Sequence, residues 1–259
     1  MTNPENGVVS RNAFGARLDA YLESGLFTDY CPNGLQVEGR PEIRRVVTGV
    51  TASLAFLEAA VACRADAVLV HHGIFWDGAS PVLRGSLKKR VSLLLDSGVS
   101  LFAYHLPLDA HPISGNNAPA LRDLGLVELQ PFALHKGRAV GWRGRLSEPE
   151  PVDRFAARVA AYYGTTPTSF LFGPPLVSTV GLVSGAAQSD ANKAVAAGLD
   201  CFVTGEISEF NLHLAKEEGL HHLSVGHHAS ERVGPRNLAR FIAAEFGVEA
   251  EFLDCENPV

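Results

Sequence analysis

The chain has 259 residues, 46% of them hydrophobic, enough to bury a full core as one large domain or two smaller interlocked ones. Its 22 Lys and Arg against 28 Asp and Glu give a net charge of −6, which argues against sequence-independent nucleic-acid binding, because that depends on neutralising phosphates. The four cysteines, Cys31, Cys63, Cys201 and Cys255, form no CxxC pair, so no zinc knuckle or redox motif is indicated and a reducing compartment is the simplest reading.

The N-terminal MTNPENGVVSRNAF has no basic region followed by an apolar run, and no stretch approaches the roughly 20 apolar residues that span a bilayer. A soluble, cytoplasmic protein without membrane attachment is expected. Ser10 precedes RNAFGARLDAYLES, where Phe14, Leu18 and Leu22 recur at helical spacing and Gly25 supplies a stop. A loop with Pro32, Asn33 and Gly34 leads to RRVVTGV, a β-branched run that reads as a strand. A helix over SLAFLEAAVACRA, the strand DAVLVHH, a basic amphipathic helix near LRGSLKKRVSLLLDSG and the strand VSLFAYH follow. Strands alternating with helices of this length imply βαβ units and a mainly parallel sheet covered on both faces.

After Asn116 and Asn117 a short helix runs to Gly125, and PFALHKGRAVGWRGRLSEPEP reads as antiparallel strands with a Pro/Glu connection. A helix over VDRFAARVAAYYG precedes the strands SFLFG and STVGLVSG. The alternation then resumes through SDANKAVAAGLD, CFVTGE, EFNLHLAKEEG, HHLSVG, the long helix HASERVGPRNLARFIAAEFG and the strand EAEFLD.

The two halves of the chain parallel each other. TASLAFLEAAVACRADAVLVHHG and SGAAQSDANKAVAAGLDCFVTGE each carry an Ala-rich helix, an Asp, a short apolar strand and a polar pair, His71-His72 in one and Gly205-Glu206 in the other. Downstream, SGVSLFAYHLPLD parallels EGLHHLSVGHHASE, so His105 and Asp109 stand where His227 and Glu231 stand, each pair at i and i+4. A pseudo-twofold arrangement would gather the C-terminal ends of equivalent strands, where open α/β sheets place their ligands.

His71 and His72 close an apolar strand. Neighbours on a strand point to opposite sides, so both reach one site only where the backbone turns, at Gly73. A pair of surface histidines is the plainer alternative for this dipeptide alone, a packed core histidine for His105, and an exposed turn acid for Asp109. His227 and Glu231 fall on one face of a helix that begins just after a strand. A solvated His/Glu pair is their alternative reading, weakened by the same spacing in the other half. The three imidazoles of His71, His72 and His227 with the two carboxylates of Asp109 and Glu231 exceed one tetrahedral zinc but suit two ions about 3.5–4 Å apart. The mixed N/O set admits Zn, Mn, Fe, Ni or Co. Such a pair lowers the pKa of a bridging water to near neutrality, which is hydrolytic chemistry.

Through DYCPNGLQVEG, VLVHHGIFW, YHLPLDAH with GNN, TGE and GHHASE, the chain resembles the Ngg-interacting-factor-three-like family over essentially its whole length. Many members of that family are known as GTP cyclohydrolase I type 2 homologues. The resemblance implies His71, His72, Asp109, His227 and Glu231 as ligands of a dinuclear centre, with Glu231 bridging. It also implies a fold of two intertwined α/β repeats and a toroidal homohexamer. The expected lobes are 1–127 plus 225–259, carrying the metal ligands, and 128–224, the two interlocked. One position departs from the family: the residue after IFW, often basic in close relatives, is Asp77, which bears against phosphate binding there. No GxxxxGK[ST] or GxGxxG run is present, and Lys88, Lys89 and Arg90 read as a solvated helix face.

Two functions follow as expectations. One is a metal-dependent hydrolase of a small-molecule substrate, a nucleotide or related heterocycle such as GTP, with Glu206 or His105 moving protons. The other is a ring-shaped metal-binding scaffold or metal carrier without turnover.

Overall fold

The computed structural model describes residues 7–259. Local chemistry sets the first elements. After the two-residue strand β1 (Val9–Ser10), the Ser10 hydroxyl accepts from the Ala13 backbone N–H at 3.2 Å and starts α1 (Arg11–Tyr21). The strands β2 (Gly34–Val37), β3 (Glu42–Ile43) and β4 (Arg45–Thr51) follow. Ser53 caps α2 (Leu54–Ala62) in the same way through the Phe56 N–H at 3.1 Å. Then come β5 (Ala67–His72), α3 (Gly85–Ser97), β6 (Ser100–Ala103) and the short α4 (Leu106–Ala110). The rest of the chain supplies α5 (Asn117–Asp123), β7 (Leu126–His135), β8 (Arg138–Pro151), α6 (Val152–Tyr163), β9 (Thr168–Leu171) and β10 (Leu176–Val183). It ends with α7 (Ala191–Ala196), β11 (Cys201–Thr204), α8 (Phe210–Glu218), β12 (His221–Ser224), α9 (His227–Ser230), α10 (Val233–Phe246) and β13 (Glu249–Phe252).

The chain divides into two compact units. The first comprises the described residues up to Leu108 with Gly234–Glu256, the second Asp109–Val233 with Asn257–Val259. The division falls inside α4, earlier in the chain than the expected boundary near residue 127.

The first unit holds a five-stranded sheet in the order β13-β4-β5-β6-β2. Its neighbours pair in parallel except β2, which runs antiparallel to β6. The central strands read as near-continuous Val, Leu and Ala runs because both faces are covered. On one face Phe14, Leu18, Leu238, Ile242 and Phe246 pack against Val46, Leu69 and Phe102. On the other, Phe56, Leu57, Ala60 and Leu94 pack against Val47, Val68, Val70 and Leu101.

The second unit holds a six-stranded sheet in the order β7-β8-β10-β11-β12-β9. Here only β10-β11 and β11-β12 are parallel; the remaining pairs are antiparallel. The mainly parallel sheet expected from the sequence therefore holds for the first unit and fails for the second. The cause is local: β7 and β8 are joined by Lys136 and Gly137, both at positive φ (46° and 86°), and a two-residue connection of that kind forces an antiparallel hairpin. Phe155, Val159 and Tyr163 of α6 pack with Val180, Val203 and Leu223 in this unit's own core.

The three parallel strands at the heart of each sheet, β4-β5-β6 and β10-β11-β12, run in the same sequential order, each flanked beyond the last strand by an antiparallel edge, β2 or β9. The pair His71-His72 thus ends the middle strand of the first trio, and Gly205-Glu206 directly follow the middle strand of the second. The fold is mixed α/β with two mixed sheets flanked by helices. Among the described residues, no helix is long and apolar enough to cross a membrane.

Candidate metal centre

In the first unit, β5 ends at His72, which pairs in register with Thr51 of β4. The backbone turns at Gly73, where a Cβ would stand 2.2 Å from Oε1 of Gln36. That same oxygen accepts from the Ile74 N–H at 2.9 Å, so the β2 strand of GLQV clamps the turn after the histidines. The two rings reach 4.6 Å between centroids despite their adjacent strand positions. His71 is fully buried, with Nδ1 3.1 Å from the Tyr104 carbonyl. Nδ1 of His72 is 3.2 Å from Oγ1 of Thr51.

His105 joins them. Its ring lies 5.1 Å from that of His71 and 5.7 Å from that of His72, and one nitrogen of each of the three lies within 4.8 Å of the others. Nδ1 of His105 is 2.7 Å from Oδ1 of Asp29. Burial of Asp29 disfavours its charge, but the His105, Asn33 and Tyr30 hydrogen bonds outweigh it and hold the carboxyl at about 2. Trp76 stands edge-on to His105 at 5.2 Å and 5.7 Å from His72, fixed by its indole N–H to the Gly73 carbonyl at 3.2 Å. Tyr30, more than a third exposed, is 6.3 Å from His105. Burial, with Asp29 and Asp77 nearby, pushes the Cys31 thiol up to about 12.

In the second unit, Asp109 is buried on α4, and its Oδ1 accepts from Asn116 Nδ2 and Ser184 Oγ, both at 2.8 Å. Asn117 braces the same turn by donating to the Asp109 and Val140 carbonyls. His227 and Glu231 follow β12. The expected single long helix is broken: α9 has four residues, Glu231 lies just past it at φ −106°, and α10 begins at Val233. Pro235 explains the restart, since proline lacks an N–H and is tolerated only in a helix's first turn. The pair still meets, with His227 Nε2 3.2 Å from Glu231 Oε2. Nδ1 of His227 is 2.6 Å from Oε1 of Glu206, two residues past the end of β11. A carboxylate oxygen of Glu231 also lies within 4.8 Å of one of Asp109.

Two buried carboxylates this close repel each other and favour a cation beside them. His227 already responds. Burial of its ring disfavours the proton, but Glu231 and Glu206 outweigh that and lift it to about 9. Gly185 completes the cradle at φ +69°: a Cβ there would meet Glu231 Oε1 at 2.3 Å and His227 Nε2 at 3.3 Å. The donor set and the space kept open over it fit divalent cations.

Of the residues singled out from sequence, the first unit brings together His71, His72 and His105. The second brings together His227, Glu231 and Glu206, with Asp109 close to Glu231. Sequence reasoning assigned no role to Asp29, Asn33, Trp76, Gly185 or Ser184. For Asp29 and Asn33 the signal lay in DYCPNGLQVEG and for Trp76 in VLVHHGIFW, which marked resemblance without indicating which atoms met; Ser184 and Gly185 lie outside the motifs.

A family model described as Duf34/NIF3 (NGG1p interacting factor 3) matches residues 9–258. A Pseudomonas aeruginosa protein named GTP cyclohydrolase 1 type 2 homolog is 45% identical over 241 residues, 93% of this chain and 95% of its own. The solved structure of protein ybgI, described as of unknown function, superposes with a TM-score of 0.92 at 40% identity, covering 97% of this chain and 100% of that one. TTHA1606 from Thermus thermophilus gives 0.89 at 36% identity, with the same coverage.

Proposed function

The chain belongs to the Duf34/NIF3 family, and on that premise we propose that it is a dinuclear-metal-dependent hydrolase of a nucleotide or related heterocycle, with GTP ring opening the first activity to test. His71, His72, Asp109, His227 and Glu231 are the proposed ligands of two divalent ions. One observation carries the reading: all three proposed imidazole ligands have Nδ1 against an oxygen of their own unit. The partners are the Tyr104 carbonyl, Thr51 Oγ1 and the Glu206 carboxylate. Metal-ligating histidines show this arrangement, because the outer partner fixes the tautomer and makes Nε2 the donor. Glu231 is the proposed bridge, being near both His227 and Asp109.

When bound, such a pair of ions supplies hydroxide at neutral pH and polarises the reacting group. The protein's own groups do the rest. His105 accepts or returns a proton at Nε2. Glu206, with Oε1 engaged on His227, handles protons through its other oxygen. Trp76 and Tyr30 beside the histidines suit stacking on a flat heterocycle. A cytoplasmic homohexamer is part of the same proposal, and the mass of the assembly in solution tests it.

The decisive experiment screens nucleosides, nucleotides and related heterocycles against protein loaded with Mn, Zn or Fe, with metal content measured on the same sample. Turnover that disappears in His71→Ala is the expected result. Metal bound with no turnover of any compound leaves the carrier or scaffold reading in its place.

A further inference from the structure

Asp29 is the most heavily engaged carboxylate beside the histidine cluster of the first unit. Its Oδ1 accepts from the Tyr30 N–H at 2.6 Å and lies 2.7 Å from Nδ1 of His105. Its Oδ2 accepts from Asn33 Nδ2 and from the Leu106 N–H, both at 2.9 Å. Asn33 completes the clamp, since its Oδ1 accepts from the backbone N–H of His105 at 2.9 Å. Residues 29–33 therefore hold both the ring and the backbone of His105, and the backbone of the residue after it.

Asp29, Cys31 and His105 also bring donor atoms within 4.8 Å of one another, which suggests a further metal site. The hydrogen bonds argue against it. Each Asp29 oxygen already has two partners, filling the roughly four acceptor positions a carboxylate has, and Nδ1 of His105 faces Asp29. A carboxylate so enclosed orients a neighbour; it does not bind a metal.

We propose that Asp29 is a positioning residue: it keeps the proton of His105 on Nδ1, so that Nε2 carries the lone pair next to His71 and His72. The proposal rests on the hydrolase reading for its purpose, since it explains how His105 stays competent to take a proton. It rests on hydrogen-bond geometry for its substance. A buried carboxylate on Nδ1 sets the tautomer and orientation of the imidazole it touches, and its replacement by an amide preserves shape while reversing the tautomer.

The test is a long-range 1H–15N correlation on full-length protein carrying 15N-labelled histidine, with His105→Gln identifying the signal by its loss. Wild type should show His105 protonated at Nδ1 with a lone pair on Nε2. Asp29→Asn, which turns an NH2 towards Nδ1, should show the Nε2–H form. Asp29→Glu, which keeps a carboxylate, should retain Nδ1–H. Zinc stoichiometry should match wild type in both Asp29 variants, a result that a general collapse of the site would not give. An Nε2–H ring in wild type, an unchanged His105 signal in Asp29→Asn, or loss of zinc from the Asp29 variants overturns the proposal. If Asp29→Asn does not fold, the wild-type tautomer decides alone. Turnover enters none of these measurements, so failure of the hydrolase reading and failure of this one are told apart.

Discussion

Nδ1 of His227 lies 2.6 Å from Oε1 of Glu206. Glu206 lies just after β11 and His227 opens α9 after β12, and the contact leaves Nε2 of His227 beside Glu231. Removing an outer-sphere carboxylate from a ligating histidine lowers metal affinity about 10–100-fold. Glu206→Ala should therefore weaken zinc binding by that factor in competition with a chromophoric chelator, and Glu206→Gln by less. Unchanged affinity in Glu206→Ala would remove His227 from the ligand set or Glu206 from its support.

Gly185 offers a backbone route to the same donors. At φ +69° an alanine is strained by about 1–2 kcal/mol, and its methyl would stand 2.3 Å from Glu231 Oε1. The carboxylate must move. Gly185→Ala should lose metal while keeping its circular dichroism spectrum, with a fall of several degrees in melting temperature. Full metal content in a folded Gly185→Ala protein would place the ions elsewhere.

Much of this site was legible from spacing, and the limits have physical causes. The apolar runs of β4, β5 and β6 and the Ser-capped helices between them are local signals, so the strand that ends in His71 and His72 was found with its site residues. The i, i+4 spacing of His227 and Glu231 suggested a helix face, yet the contact is made across a four-residue helix and its exit. Pro235 announced that break. The strand β2 leaves no strand signal in the sequence, because GLQV is short and starts on glycine. It takes its structure from pairing with β6, and neither Gln36 on Gly73 nor Asp29 on His105 leaves a periodic trace. The antiparallel share of the second sheet was visible in the β7–β8 hairpin but not in β9, whose pairing partner β12 lies some fifty residues on.

His222 predicts an acid-sensitive step in stability. It is fully buried on β12, 5.6 Å from Phe202 and 6.3 Å from Phe170, and neither ring nitrogen has a hydrogen-bond partner among the described residues. Burial lowers its pKa to about 4. The unfolded chain, titrating near 6.5, takes up the proton first, so the neutral ring's full contribution is present above about 6.5 and is lost as pH falls towards about 4. The loss amounts to about 3 kcal/mol at most. Denaturant midpoints of metal-free protein at pH 7.5 and pH 4.5 should differ by more in wild type than in His222→Phe. Equal pH sensitivity in the two proteins would show that His222 is not the group responsible.

Glu231→Ala is the sharpest test of the centre. Glu231 is almost fully buried, its Oε2 is 3.2 Å from Nε2 of His227, and one of its oxygens is within 4.8 Å of an Asp109 oxygen. If it bridges two ions, its loss removes both, whereas loss of a ligand to one ion alone would leave the other. Folding should survive, because each unit has its own apolar core and neither draws its core residues from the metal ligands. In the metal-free variant the relief of repulsion on Asp109 opposes the loss of the His227–Glu231 pair, so its stability should stay near that of metal-free wild type. Zinc then separates the proteins. At about 100 times the dissociation constant a ligand stabilises by about 2.7 kcal/mol, which for a chain of this size is a rise in Tm of roughly 5–10 °C. Wild type should show that rise and Glu231→Ala none, with metal content falling from two ions per chain to none. A variant that retains one ion would make Glu231 a terminal ligand, and one that retains two would sink the dinuclear assignment.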